Sequence, residues 1–126
     1  MENQAAFKQP SIELVELKRS ELHKFFQIFE EARSKGELGH VAAPESLADV
    51  VDNYDRARGR YKLNYFLVRA LEDFPQVSLR SGNVVGAIAT FSDLEKGGGV
   101  IFNQFVKNEY RRLGFGTASL RAAKVF

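Results

Sequence analysis

The residue types best suited to chemistry in this chain lie in one short segment, residues 106–117. Two glycines, Gly114 and Gly116, stand there at the start of a predicted helix. Glycine has no Cβ, so an anion can approach its backbone, and the free N–H groups of a first helical turn point at that anion. Arg111 and Arg112 add full positive charge. The segment therefore predicts a cradle for a phosphate or pyrophosphate group.

Other phosphate-binding motifs do not fit this segment. The Gly-Lys-Ser/Thr ending of a P-loop is missing, and so is the Gly-x-Gly-x-x-Gly pattern of dinucleotide-binding proteins. A bare pair of glycines is also typical of a helix that starts close to a packed neighbour. The glycines alone leave both interpretations open.

Composition removes several classes of site. The chain has 126 residues, 44% of them apolar and eleven of them Phe, which predicts one domain with an aromatic core. It has no cysteine, which excludes disulfides, cysteine nucleophiles and cysteine-containing zinc sites. The two histidines, His23 and His40, are too few for a histidine metal site or a typical triad. His40 is expected in a loop, and His23 on a helix at the boundary between its apolar and exposed faces.

Charge is divided unevenly along the chain. Residues 1–55 carry 6 basic and 11 acidic side chains, and residues 56–126 carry 12 and 5. A basic second half favours an anionic partner, although solvated charges also segregate by chance. The alternating bases at 56, 58, 60 and 62 are interpreted as a solvated connector, and nucleic acid is an unlikely partner.

Hydrophobic periodicity predicts the elements that position the segment. Strands are expected over 11–17, 65–71, 84–91 and 100–106, with a short continuation or loop at 77–79 and turns at 81–83 and 97–99. Ser20 is expected to cap a helix from Glu21 to about Gly36, and Pro44 to open a second that Gly59 ends. The last helix is expected over 114–126. The apolar faces at helical spacing are Leu22, Phe25, Phe26 and Phe29, then Leu47, Val50, Val51 and Tyr54.

The order of elements indicates the fold class. Strand, two helices, three closely spaced strands and a helix predict an α+β fold with helices packed on a mostly antiparallel sheet. Gly86 interrupts a strand, where a backbone approaches closely or bulges. Residues 1–10 are expected to be a polar N-terminal segment, and 11–126 one domain.

The segment resembles the signature of the GNAT superfamily of acyl-CoA N-acyltransferases, Arg/Gln-x-x-Gly-x-Gly/Ala, which stands here at residues 111–116. Val106 matches the apolar residue five positions earlier, and Val84-Val85-Gly86 matches a common strand start. The order of elements from residue 11 to 126 also matches the N-terminal part of that fold. The resemblance implies a GNAT-like mixed, mostly antiparallel sheet flanked by helices.

The resemblance also implies site residues and a cosubstrate, acetyl-CoA. Phe105 and Val106 would pair their backbone with the pantetheine arm, and the Val106 N–H would stabilise an oxyanion. The side chain of Arg111 would assist the helix start or the phosphates, with a plain surface role as the alternative for Arg111 and Arg112. The pyrophosphate would lie on backbone amides of Arg112, Leu113, Gly114, Phe115, Gly116 and Thr117.

The acid–base residues stay unassigned. A primary amine must lose a proton before it attacks, and the family often places a carboxylate on the strand before the signature. Here that strand offers only Asn103 and Gln104, which can orient a water molecule. Glu109 follows it, where a solvated role is expected.

The resemblance ends with the chain. A complete GNAT fold continues with further strands and a helix that supply one wall of the cofactor cleft. Three alternatives stay open: a truncated protein, which we expect; a homodimer through edge-strand pairing or swapping; and a non-catalytic half-domain.

The resemblance implies an acetyl-CoA-dependent N-acetyltransferase that acts on a small-molecule or protein amine by direct attack. The short apolar runs, the lack of a signal-peptide pattern at the start and the lack of cysteine predict a cytoplasmic protein with no membrane partner, and the composition predicts no metal. The alternative is a non-catalytic GNAT-like half-domain that binds coenzyme A or a protein.

Overall fold

Four antiparallel strands form one sheet in the order β1-β2-β3-β4 in the computed structural model, which describes residues 9–124. The predicted α+β class and order of elements are confirmed. The strands are β1 (Ile12–Glu16), β2 (Tyr61–Ala70), β3 (Val84–Asp93) and β4 (Gly99–Val106). The α-helices are α1 (Leu22–Ser34), α2 (Leu47–Arg56) and α3 (Phe115–Ala123), and 3-10 turns lie at Arg19–Glu21, Pro75–Val77 and Asn108–Tyr110.

Helices α1 and α2 cover one face of the sheet. Phe25 and Phe29 of α1 are fully buried, with ring centroids 5.0 Å apart, and Phe25 lies 4.6 Å from the ring of Tyr65 in β2. The predicted apolar stripe of α1 is therefore core. In α2, Val50 is buried while Leu47 remains largely exposed.

Helix α3 covers the opposite face with a second buried cluster. Phe115, at its start, packs on the ring of Phe74 at 5.3 Å and joins Phe66, Val85 and Ile88 of the sheet. The sheet is thus sandwiched between two apolar layers, which holds the start of α3 at a defined distance from β4.

The residues predicted to start α1 and α2 were wrong as caps. Helix α1 begins at Leu22 after a 3-10 turn, where the Glu21 carboxylate accepts from the Lys18 N–H at 2.9 Å, and Ser20 is not its cap. Helix α2 begins three residues after Pro44, because the Ser46 hydroxyl accepts from the Asp49 N–H at 3.1 Å. A capping oxygen satisfies a free amide, whereas proline only removes one.

The second strand begins four residues before its predicted start. Lys62 pairs with Ser92 across β2 and β3, and the Arg60 guanidinium forms two 2.8 Å hydrogen bonds with the Asp93 carboxylate. The expected solvated connector is therefore partly a strand. Residues 77–79 form no continuation of β2, since Pro75–Val77 is a 3-10 turn and Leu79 bridges to Phe74.

The ends of the chain lie outside the described residues. Predictions for residues 1–8, and for Val125 and Phe126 in the last helix, fall there. Helix α3 is described from Phe115 to Ala123.

Gly86 brings β3 close to β4. A Cβ at Gly86 would lie 2.2 Å from the carbonyl oxygen of Phe105, so any other residue would force the two backbones apart. Val85 has no partner in the β2–β3 register, which is a bulge next to this glycine. Both features expected for Gly86, close approach and a bulge, are confirmed.

Candidate functional site

The last residues of β4 present alternate peptide groups to its free edge. The Lys107 N–H donates to the Val85 carbonyl at 2.8 Å, and the Phe105 carbonyl also faces β3. Because peptide groups alternate in direction along an antiparallel strand, those of Gln104 and Val106 point away from β3. Val106 thus has its backbone at the edge where an extended ligand could pair, whereas Phe105 does not.

The Arg111 side chain points back to β4 rather than toward the start of α3. Its Nε donates to the Val106 carbonyl at 3.1 Å, and Nη2 donates to the Glu37 carbonyl, after α1, at 3.3 Å. Its Cζ lies 5.1 Å from the centre of the buried Phe105 ring. Arg111 therefore ties the end of β4 to the α1–α2 loop through two hydrogen bonds and a cation–π contact.

The turn into α3 uses two left-handed residues. Gly114 has φ of 91°, and Arg112 has φ of 68°, which is uncommon for a residue with a Cβ. A Cβ at Gly114 would also lie 3.0 Å from Cδ of Pro10. Gly114 is therefore required by backbone conformation and by its packed neighbour, as the packing interpretation expects.

Six consecutive amides follow in this turn and the start of α3. Within residues 9–124, the N–H groups from Arg112 to Thr117 form no hydrogen bond, and the next amide, of Ala118, donates to the Gly114 carbonyl at 3.0 Å. Three of these amides belong to the first turn of α3, where the helix dipole favours negative charge. The arrangement can hold an anion.

The side chains along this segment divide its roles. Arg112 and Thr117 are exposed beside the free amides, whereas Phe115 is buried and Leu113 is half-buried against the core of the α3 face. A Cβ at Gly116 would make ordinary contacts of 3.8 Å and 3.9 Å with Val106 and Gln104, so an alanine would fit. Gly116 is therefore not required by sterics within the described chain.

Gln104 fastens α3 to β4, which the sequence interpretation missed. Its Nε2 donates to the Gly116 carbonyl and to Ser119 Oγ, both at 2.9 Å, and Ser119 is fully buried. Gln104 was expected to orient water, but its amide group is bonded to the helix. The available signal was a polar residue on an apolar strand, which needs a buried partner.

The remaining polar candidates are spread out. Asn103 Nδ2 donates to the Ala42 carbonyl at 3.0 Å and so holds the α1–α2 loop, while Glu109 is exposed. His23 and His40 are also exposed. Strand β4 carries no carboxylate, although the side chains of Glu31, Glu37 and Glu109 line a small cavity together with Phe105 and Lys107 at the end of that strand.

Tyr65 is the titratable group most changed by its surroundings. Burial raises its pKa to about 12, although a hydrogen bond with Asn53 acts in the opposite direction. Its hydroxyl therefore stays protonated at neutral pH. In that form it can donate or accept a hydrogen bond, but it does not act as a general base.

Residues 9–124 contain neither a metal-binding cluster nor a membrane-spanning helix. No group of three or more His, Asp or Glu side chains there could hold a metal ion. No helix in that range has the length and apolar character needed to cross a bilayer.

Comparison with solved structures identifies the fold. A tandem GNAT protein from the clavulanic acid biosynthesis pathway, solved without AcCoA, superposes with a TM-score of 0.64 and 22% identity over 91% of this chain. The fold is GNAT-like. The chain spans 32% of the length of that protein. No protein-family model and no curated protein matches the sequence.

Proposed function

We propose that this chain binds acetyl-CoA and transfers its acetyl group to a primary amine. The observation that carries this proposal is the run of six amides from Arg112 to Thr117 that form no hydrogen bond with any residue from 9 to 124. Free amides at a helix start suit a pyrophosphate, and Gln104 of β4 donates to the Gly116 carbonyl in the same turn at 2.9 Å.

The residues present fit such a ligand. Arg112 supplies a positive charge beside the amides, and Gly116 leaves their approach open. The N–H of Val106 and the peptide groups of Gln104 face the free edge of β4, where they can pair with an extended amide-containing arm. The Val106 carbonyl already accepts from Arg111, so among the described residues the N–H is the backbone group of Val106 left to pair at that edge.

Acetyl-CoA, when bound, supplies an activated acetyl thioester. The overall reaction forms a nitrogen–carbon bond, breaks the carbon–sulfur bond and yields a free thiol. The proton that the amine loses balances the one that the thiol gains. Since β4 carries no carboxylate, we propose that water takes the proton from the amine.

A charge change at Thr117 tests the cradle. Glutamate in the first turn of a helix favours the helix dipole, so Thr117→Glu should leave stability unchanged or slightly raised. The same carboxylate repels a phosphate at the amides. We expect acetyl-CoA affinity, measured by titration calorimetry, to fall about tenfold or more in Thr117→Glu.

Thr117→Gln is the matched control, because it has the same length without the charge. We expect it to retain affinity within about threefold. Equal losses in the two variants, or no binding by folded wild-type chain, would overturn the cradle. Acetyl transfer to a panel of amines is then followed by thiol release and mass spectrometry.

The second candidate is a non-catalytic module that binds coenzyme A. The lack of a carboxylate on β4 favours it. It predicts acetyl-CoA binding that Thr117→Glu weakens, with no acetylated amine detected in the same preparation.

A further inference from the structure

Two cavities adjoin on the sheet face that carries α1 and α2. One of about 320 Å³ lies between the α1–α2 loop, α2 and β4, and one of about 510 Å³ lies toward the start of β4. Asn53, Arg56 and Phe102 border both. The amide cradle lines neither, so the two cavities form a separate binding region, here called the double cavity.

The smaller cavity has an acidic wall. Glu45, Asp49 and Asp52 line it, and none of them forms an ion pair within residues 9–124. Tyr65, only 1% exposed, and Asn103 also line it. Unpaired carboxylates above neutral hydrogen-bonding groups suit an ammonium ion.

The larger cavity is apolar. Tyr61, Leu63, Phe91 and Val100 line it, and the rings of Tyr61 and Phe91 stack at 5.4 Å. Val100 is 61% exposed although it belongs to a strand. An apolar group placed here would remove this surface from water, which favours its binding.

The charge of Arg56 limits which ligand can occupy both cavities. Arg56 borders both cavities and forms no ion pair within the described range, so its positive charge opposes a cation in either. Three carboxylates offset that charge in the smaller cavity, whereas no carboxylate lines the larger one. We propose that the acceptor is a primary monoamine with an aromatic or branched apolar body. This inference rests on the proposed acyl transfer. The ammonium binds beside Asp49 and Asp52, and the body fills the cavity at Val100. A diamine or polyamine fits the double cavity poorly.

Binding of three small probes tests this assignment without any turnover. We expect 2-phenylethylamine to bind the full chain, by titration calorimetry and ligand-observed NMR, at least about fivefold more tightly than 1,4-diaminobutane. It should also bind about fivefold more tightly than 2-phenylethanol, which lacks the charge. Each titration is run with and without coenzyme A, so that an ordered mechanism is covered.

Variants then locate the two halves of the probe. The double variant Asp49→Asn, Asp52→Asn should bind 2-phenylethylamine about fivefold more weakly and bind 2-phenylethanol with unchanged affinity. Val100→Asp should lower the affinity for both aromatic probes, 2-phenylethylamine and 2-phenylethanol. Glu95→Gln and Leu94→Ser are the matched controls, because both side chains are exposed and line neither cavity.

The outcomes separate this inference from the proposed function. Equal binding of the diamine and the aromatic amine, or variants that act like their controls, would overturn the monoamine assignment. So would the absence of amine binding by chain that still binds acetyl-CoA. Amine binding by chain that fails to bind acetyl-CoA would instead overturn the acyltransferase and leave an amine-binding site.

Discussion

At the scale of single residues, alanine substitution should have opposite effects on stability at Gly86 and at Gly116. A Cβ at Gly86 meets the Phe105 carbonyl oxygen at 2.2 Å, and this backbone atom cannot rotate away. Gly86→Ala should therefore lower the free energy of unfolding by about 2 to 3 kcal/mol, as overpacking does. At Gly116 the added Cβ finds contacts of 3.8 Å and 3.9 Å. Gly116→Ala should leave stability unchanged or raise it by up to about 1 kcal/mol. Urea unfolding of both variants checks this, and equal effects would contradict it.

Tyr65 predicts a loss of stability in alkali. Its pKa is raised to about 12 when folded, above the ordinary value of 10.0, so folding favours the protonated hydroxyl. That contribution is complete below pH 10 and is lost as the pH rises toward 12. Between pH 8 and pH 11 it should remove about 1 kcal/mol from the free energy of unfolding.

The variant Tyr65→Phe isolates this term, since it keeps the ring and every other titratable group. Chemical unfolding at pH 8 and pH 11 should show a smaller fall for the variant than for the wild type. Parallel falls would mean that the Tyr65 hydroxyl titrates normally.

The sequence predicted the structural roles of the glycines better than the hydrogen-bond partners of the polar side chains. Gly86 is visible because a glycine inside an apolar strand marks a bulge or a close approach of backbone. Arg111, by contrast, was expected near the helix start or the phosphates, yet its partners are carbonyls of Val106 and Glu37. Partners so distant in sequence are determined by tertiary packing, which a motif does not contain.

At the scale of elements, Gln104 and Asn103 anchor different parts on opposite faces of β4. Gln104→Leu removes two hydrogen bonds to α3, although Ser119 Oγ can still donate to the Gly116 carbonyl at 2.9 Å. We expect a loss of about 1 to 2 kcal/mol. Hydrogen exchange should become faster in α3, and acetyl-CoA affinity should fall with it.

Asn103→Leu is the matched control on the other face. It releases the Ala42 carbonyl, so exchange should become faster in the α1–α2 loop and not in α3. Faster exchange in α3 in both variants would mean that β4 loosens as a whole.

Element types were predictable here, whereas the starts of β2 and α2 were not. The apolar spacing in α1 marks the face that becomes buried, and this pattern can be read from the local sequence. The start of β2 depended on Arg60 meeting Asp93, 33 residues later, through two 2.8 Å hydrogen bonds. Similarly, polar Asn64 stays in β2 because its Nδ2 donates to the Glu16 carboxylate at 2.7 Å.

At the scale of the whole molecule, the charge division separates the two proposed sites. The acidic wall of the double cavity comes from the half of the chain that carries 11 acidic and 6 basic residues. The amide cradle comes from the half that carries 12 basic and 5 acidic residues. Opposite charge at the two sites keeps an anionic donor and a cationic acceptor from competing for one place.

This arrangement predicts how salt acts on acetyl-CoA binding. Added salt screens exposed charges, so affinity should fall about fivefold between roughly 50 mM and 500 mM salt. Arg112→Asn removes a charge beside the amides while retaining a residue that tolerates positive φ. It should weaken acetyl-CoA binding at low salt and flatten the salt dependence.

Arg121→Asn is the matched control, because Arg121 is exposed in the last turn of α3 and its loss changes the net charge equally. It should have less than half that effect on the binding free energy. If the two variants behave alike, overall charge and not a local cradle attracts the ligand, and the anion site at the start of α3 is wrong.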